Sequence, residues 1–366
     1  MKKLIVLMLL MAMMPVMAAE YTIGGQVQAF YFMDMPLGDE IANSQFGTSA
    51  CDVWVDADLG DDLAGRFQLN VADISEGMED STDVNIEEMW ISKKGAFGQE
   101  ALSMKFGKME VPFNLDYDNS ITHSLSNSAY VLVGAGPDVI IVPGEIDNVW
   151  GLSVSYMVEG VGTFSLTTFE GAAGLDTSDT DPTKYTDEDT GLFSSLAVQW
   201  DTGKGVDAFG VAGLRLVVGI AMLAMDEDAD NAQVVSLGAT YTGVDKLTLA
   251  LEIAPMISNI NSEDGSMFYE LSADYDVTDV WTVGLTYGGL TVTGDDAMAG
   301  AEDSSLSRMA LRGWMKINDA AKLQIEYVMS SLSDDDYTDA ELEAAVHGNA
   351  VNSVSNGLRI GVYAGF

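Results

Sequence analysis

Apolar residues alternate with small or polar residues along most of the chain. Every second residue from Leu247 to Ile253 is Leu or Ile, with Thr, Ala and Glu between them, and the segment from Leu358 to Phe366 alternates in the same way. A period of two is typical of strands whose two faces meet different surroundings. The alternating segments run for roughly 10 to 14 residues, which exceeds the usual 5 to 6 of soluble sheets and suits tilted membrane-crossing strands.

The pattern divides the chain into sixteen predicted strands, with 14 or 18 as alternatives. The predicted strands are 21–34, 46–59, 62–74, 83–93, 101–109, 147–158, 162–172, 190–201, 210–224, 232–243, 246–258, 266–276, 279–292, 306–317, 321–332 and 353–366. Short turns such as Gly60-Asp61 follow the even-numbered strands, whereas most connections after the odd-numbered strands are longer and acidic. This alternation predicts an all-β fold, a closed antiparallel transmembrane β-barrel with turns at one end and loops at the other.

The first residues have the features of an export signal. Lys2 and Lys3 precede an apolar stretch over 4–16, and the small residue Ala18 favours cleavage after it. A transmembrane anchor is the alternative, but a helical span needs about 20 apolar residues and this run is shorter and contains Pro15. We therefore predict a signal peptide over 1–18 and a single barrel domain over 19–366.

Composition and charge exclude several classes of protein. The chain has 57 acidic and 16 basic residues, a net charge of -41, which argues against nucleic-acid binding through a basic patch. Its 13 Tyr, 13 Phe and 6 Trp argue against disorder. One cysteine, Cys51, excludes an intrachain disulfide. Asp118, His123 and Ser126 lie close in sequence, but their proximity in a loop specifies no catalytic geometry, and we predict no enzyme.

Acidic residues concentrate in the predicted outer loops. The clusters lie within 173–189, 225–231 and 333–352. Carboxylates in such numbers could bind Ca²⁺ or Mg²⁺, but no cluster has the glycine and terminal glutamate of an EF-hand loop. We favour solvated acidic loops and predict no cofactor, with divalent cations on these loops as the alternative.

The sequence resembles the porins of Gram-negative outer membranes. The resemblance rests on the signal peptide, the alternating strands, their even number and Phe366 at the carboxyl terminus. Residues 104–108 followed by Val111-Pro112-Phe113 also resemble the segment that opens the long loop in several porin subfamilies. The resemblance implies a water-filled channel for passive diffusion of ions and small hydrophilic solutes. A plugged structural or adhesive barrel that acts through its acidic loops is the alternative.

The same resemblance implies location and partners. A porin lies in the outer membrane, in contact with outer-membrane lipid and lipopolysaccharide. Phe366 is similar to the signal that the outer-membrane assembly machinery recognises in its clients. General porins form homotrimers, and the small outward residues of the first strand leave room for such packing.

The connection over 110–146 is the candidate constriction of the pore. It is the longest connection, it follows the fifth strand, and in general porins the loop at this place folds into the lumen. It contains no Lys or Arg, and its acidic residues are Glu110, Asp116, Asp118, Asp138 and Glu145. An extracellular lid packed on its own barrel is the alternative.

Alternation also selects charged residues that face away from lipid. The basic ones are Arg66, Lys105, Arg312 and Arg359, and the acidic ones are Asp52 and Asp56. In general porins a basic wall faces an acidic loop; the alternative is that each arginine pairs with an acid of its own wall. Because acidic residues dominate the loop, we predict a preference for cations.

Overall fold

The computed structural model describes residues 20–35, 44–71, 84–115, 146, 149–170, 194–203, 207–223, 232–257, 265–293, 303–333 and 356–365. Sixteen strands account for most of these residues. The strands are β1 (Glu20–Met35), β2 (Ser44–Gly60), β3 (Leu63–Val71), β4 (Val84–Lys94), β5 (Leu102–Met109), β6 (Val149–Val158), β7 (Gly162–Phe169), β8 (Ser195–Asp201), β9 (Leu214–Leu223), β10 (Ala232–Val244), β11 (Leu247–Ile257), β12 (Gly265–Asp276), β13 (Trp281–Thr293), β14 (Asp303–Asn318), β15 (Ala321–Ser333) and β16 (Asn356–Gly365). Each corresponds to one of the predicted strands.

The strands form one closed barrel. Each strand pairs antiparallel with its neighbours in sequence, and β1 pairs with β16 from Gln26 opposite Gly365 to Met35 opposite Asn356. Closure leaves no unpaired sheet edge, the condition for a sheet to span a membrane. The predicted sixteen-stranded antiparallel barrel is therefore confirmed, and the alternatives of 14 and 18 strands are wrong.

The start of β9 differs from the prediction. The strand begins at Leu214 rather than at 210, because Ala208–Gly210 forms a single 3₁₀ turn. Gly213 then has a φ of +74°, and a Cβ at this position would lie 2.5 Å from the backbone nitrogen of Gly243. Because of this turn and the close approach of the two backbones, β9 starts later in the sequence than predicted. Neither feature interrupts the apolar pattern, so the pattern did not reveal them.

The two faces of the barrel have opposite polarity. In β12, Met267, Leu271 and Tyr275 point outward and are exposed, whereas Glu270 and Asp274 point inward and are buried. The same arrangement recurs around the barrel, and it inverts the polarity of a soluble protein. An apolar outer face is the surface that a lipid bilayer requires.

Short turns join the strands at one end of the barrel, as in the turn of two residues between β2 and β3. Most of each longer connection at the other end, including the acidic clusters, lies outside the described residues, as do residues 1–18 and Phe366. Within the described ranges, no helix is long and apolar enough to cross a membrane.

Candidate functional site in the barrel lumen

A short segment after β5 enters the barrel. Val111, Phe113 and Leu115 are each at most 1% exposed, and Pro112 and Asn114 between them are also buried. The backbone nitrogen of Val111 donates to the carbonyl of Ile146 at 2.8 Å. The two ends of the 110–146 connection are therefore held together beside β5, and its first residues turn into the lumen.

This segment reaches the wall formed by β8 to β11. Gln199 on β8 donates its side-chain amide to the carbonyl of Asn114 at 3.1 Å. Leu115 packs with Val217 on β9 and Ala250 on β11 in one buried apolar cluster. Because these wall residues all point inward, residues 110–115 run inside the barrel from β5 towards β11 and cover part of its wall.

Two inward-facing glycines make room for the segment. A Cβ at Gly219 on β9 would collide with the backbone carbonyl of Phe113, and one at Gly238 on β10 would lie 2.7 Å from the Cβ of Leu115. Any larger residue at these positions would hold the segment away from the wall. The sequence analysis missed both glycines, although a pair of glycines on the inner faces of adjacent strands is the signal that could have revealed a docking surface.

The structure describes one of the five predicted loop acids. Glu110 lies half-buried at the start of the segment, directly after β5. Asp116, Asp118, Asp138 and Glu145 lie outside the described residues, so their place relative to the pore stays a prediction.

Arg66 lies on the inner wall in contact with two carboxylates. Its Nε donates to Asp56 at 2.7 Å and its Nη1 to Glu88 at 3.3 Å. The two acceptors lie on the strands on either side of Arg66, Asp56 on β2 and Glu88 on β4. The guanidinium carbon also lies 6.0 Å from the centre of the Trp54 ring and 5.9 Å from that of Trp90.

Asp52 and Lys105 occupy separate places on the same wall. Asp52 is buried and accepts hydrogen bonds from Gln26 at 2.5 Å and Asn70 at 2.8 Å, and it is not a partner of Arg66. The ammonium group of Lys105 lies 4.6 Å from the centre of the Trp90 ring, within cation–π range. Trp90 is therefore flanked by the two bases.

Arg312 is buried in an ion pair within the wall. Its Nη2 and Nε donate to the carboxylate of Asp274 at 2.7 Å and 3.2 Å, and its Nη1 donates to Thr286. Gly284 stands between β12 and β14, and a Cβ there would lie 2.7 Å from Nε of Arg312. Glycine at this position therefore leaves space for the Arg312 side chain beside Asp274. The backbone of Arg359 lies opposite Glu326 on β15, and its side chain is not described.

Arg66 and Arg312 thus pair with acids of their own wall, the second of the two arrangements considered from sequence. The sequence analysis missed a third such pair, in which Arg215 donates from Nη2 to Asp201 at 2.7 Å. Strict alternation with Leu214 and Leu216 would have placed Arg215 on the inner face. Partners such as Asp274 and Glu88 could not be assigned, because pairing depends on strand register.

Divalent cations on the acidic loops stay the alternative considered from sequence. Among the residues that the structure describes, no group of three His, Cys, Asp or Glu side chains is placed to hold a metal ion. The acidic clusters lie outside those residues.

Comparisons with known proteins identify the fold. No protein-family model matches the sequence, and no curated protein matches it in sequence. Solved structures do match. They include the outer membrane channel DcaP of Acinetobacter baumannii (12% identity, 95% of this chain, 97% of that chain, TM-score 0.64), an anion-selective porin from Comamonas acidovorans (15%, 95%, 100%, 0.63) and the trimer form of OmpT, an outer membrane protein of Vibrio cholerae (15%, 96%, 100%, 0.58). At these identities the likeness concerns the fold, and this chain has the sixteen-stranded barrel fold of outer-membrane porins.

Proposed function

We propose that the protein is an outer-membrane porin. It forms a water-filled channel for passive diffusion of ions and small hydrophilic solutes, with a preference for cations. The observation that carries this proposal is a closed barrel whose inner wall bears charged side chains and whose lumen is entered by residues 110–115.

The sign of the selectivity follows from charge. One similar structure is described as an anion-selective porin, so the fold by itself does not favour either sign. In this chain Arg66 and Arg312 are neutralised by Asp56, Glu88 and Asp274. The carboxylates of Glu252, Glu270 and Glu326 also point inward, and each side chain is buried in the wall. Loop acids carried into the lumen by the 110–146 connection would make the path still more negative.

The plugged barrel remains the second candidate. Its support is that residues 111–115 are buried inside the barrel, so the lumen is at least partly filled. Planar-bilayer recording on the refolded mature chain separates the two. A porin gives stepwise, ohmic conductance increments, whereas a sealed barrel with the same folded band in electrophoresis gives none. No catalytic role is proposed.

The proposed setting is the outer membrane, with outer-membrane lipid and lipopolysaccharide as the surrounding partners. Phe366 would serve as the signal for the assembly machinery. A homotrimer is proposed because β1 presents Ile23 and Val27 outward beside the small residue Ala29, and a similar structure is described as a trimer form. Native mass measurement in detergent should give three chains, and a mass of one chain at all concentrations would reject the trimer.

A further inference from the structure

Charges of opposite sign line the inner wall on the two strands that flank β13. On β12 the inward residues Asp274 and Asp276 are acidic, whereas on β14 the inward residues Arg312 and Lys316 are basic. The inward residues of β13 between them are small, namely Thr282, Gly284 and Thr286. The wall therefore has a groove with one acidic and one basic side, which runs towards the turn end, the end of the barrel with the short connections.

The ion pair of Arg312 and Asp274 crosses this groove over Gly284. Both residues lie directly opposite Gly284, and a Cβ at this glycine would collide with the Asp274 carboxylate. In the next inward row towards the turn end, Asp276 and Trp314 lie opposite Thr282. An indole there takes the place of the arginine, so the groove opens again between the ion pair and the turn end.

A cleft of about 280 Å³ lies at this open part of the groove. Two ammonium groups, two carboxylates, a hydroxyl group and an indole ring contribute to its lining. They belong to Lys246, Asp276, Asp279, Thr282, Trp314 and Lys316. The volume is small for a ligand site, so the cleft suits a small solute.

The charged groups of the cleft have contacts that a solute can replace or join. Nζ of Lys316 lies 2.6 Å from the carboxylate of Asp319, whose side chain is 98% exposed. Such an exposed ion pair contributes little free energy, so Lys316 can exchange it for a solute carboxylate at small cost. Asp276 accepts a hydrogen bond from the hydroxyl of Thr282, and its backbone nitrogen donates to the carbonyl of Lys246 at 2.9 Å. The second bond holds the turn of Lys246 beside the acidic side of the groove.

The mixture of charges in the cleft favours one class of solute. An anion would be attracted by the two lysines and repelled by the two aspartates, and the reverse holds for a cation. A zwitterion is attracted by both kinds of group, because each of its charges can face the opposite sign. It also has no net charge, so the net charge of -41 on the chain does not keep it out of the lumen as it would an anion.

We propose that this cleft binds a zwitterionic solute of amino-acid size. The carboxylate of the solute contacts Lys246 and Lys316. Its ammonium group contacts Asp276 and Asp279, and its apolar part packs against Trp314. The inference rests on the proposed porin function, since the solute would reach the cleft through the lumen. Binding to the folded protein in detergent requires no conduction, so a conducting barrel without binding would reject this inference alone.

Three probes with the same ring separate the possible ligand classes. Calorimetric titration of the refolded mature chain at neutral pH compares L-phenylalanine with 3-phenylpropionate, which lacks the ammonium group, and with phenethylamine, which lacks the carboxylate. We expect L-phenylalanine to bind several-fold more tightly than either of the other two. Equal or tighter binding of 3-phenylpropionate would overturn the proposal in favour of an anion site, and the same result for phenethylamine would indicate a cation site.

Charge-neutral substitutions test the location of the site. Lys316→Gln and Asp276→Asn should each weaken L-phenylalanine binding several-fold, because each removes one of the two attractions. Lys94→Gln is the matched control, since Lys94 is an exposed lysine at the turn end of β4, and it should bind like the unmodified chain. Trp314→Leu should remove the advantage of L-phenylalanine over glycine. Unchanged binding in Lys316→Gln and Asp276→Asn, with the folded band retained in electrophoresis, would overturn the proposed site.

Discussion

Arg66 and Arg312, two of the paired arginines of the inner wall, differ in how much water reaches them. The Arg66 side chain is 33% exposed and its partner Asp56 is 37% exposed, whereas the Arg312 side chain is fully buried and that of Asp274 is 9% exposed. Solvent screens the pair of Arg66 and Asp56. If this pair is broken, hydration of the charged group that remains replaces much of the lost interaction energy. Water cannot replace the interaction of the buried pair of Arg312 and Asp274, so that pair has a structural role. The pair of Arg66 and Asp56 instead contributes mainly to the charge of the lumen.

This difference predicts that two alanine substitutions have different main effects, one on stability and one on ion selectivity. Arg312→Ala leaves the Asp274 carboxylate buried without its cation and should lower the free energy of unfolding by about 3 to 5 kcal/mol. Arg66→Ala should lower it by about 1 kcal/mol or less and should instead shift the reversal potential towards cations. Urea unfolding from vesicles and bilayer recording measure the two effects. Equal loss of stability in both variants would contradict the assignment.

At the scale of elements, alternation predicts all sixteen strands because lipid and lumen impose opposite polarity on successive residues. It also places the long connection after β5. It cannot predict where residues 110–115 dock, because that contact joins strands distant in sequence and depends on their register. Gly219 and Gly238 appear in sequence as ordinary strand glycines, and only the positions of Phe113 and Leu115 show why no larger residue fits. The late start of β9 was missed for the same reason.

The glycine that faces Leu115 provides a test of this docking. Gly238→Ala places a methyl group against Leu115 and should push residues 110–115 towards the middle of the lumen. We expect lower single-channel conductance and more current noise, with the barrel still folded. Gly313→Ala is the control, because a Cβ there would meet its nearest neighbour, the carbonyl of Thr282, at 3.8 Å. Unchanged currents in Gly238→Ala would mean that the segment does not limit the pore.

The undescribed part of the same connection is tested by its charges. Asp116→Asn with Asp118→Asn should weaken cation selectivity without unfolding the barrel, because substitutions in the lumen leave the lipid face intact. Deletion of much of 116–145 should raise single-channel conductance. Reversal potentials and conductance steps measure the two results. If neither changed, the connection would lie outside the pore, and wall side chains would form the constriction.

At the scale of the whole molecule, a net charge of -41 produces a field that single residues do not. Many of the acids lie in connections at the loop end, where each solute would enter from outside, and others are paired on the wall. Fixed negative charge attracts cations and repels anions over a distance set by the ionic strength. The entrance and the lumen would then both favour cations over anions.

Selectivity should therefore depend strongly on salt. The Debye length is about 30 Å at 0.01 M and about 3 Å at 1 M, so the charges of the loops influence the whole entrance only in dilute solution. Reversal potentials in a KCl gradient should favour K⁺, and the preference should shrink as both solutions become more concentrated. A preference that stayed constant with salt would place the selectivity in the wall, at close-range groups such as Asp56 and Glu88. A preference for Cl⁻ would refute the inference from charge and would indicate an anion site built from Arg66 and Lys105.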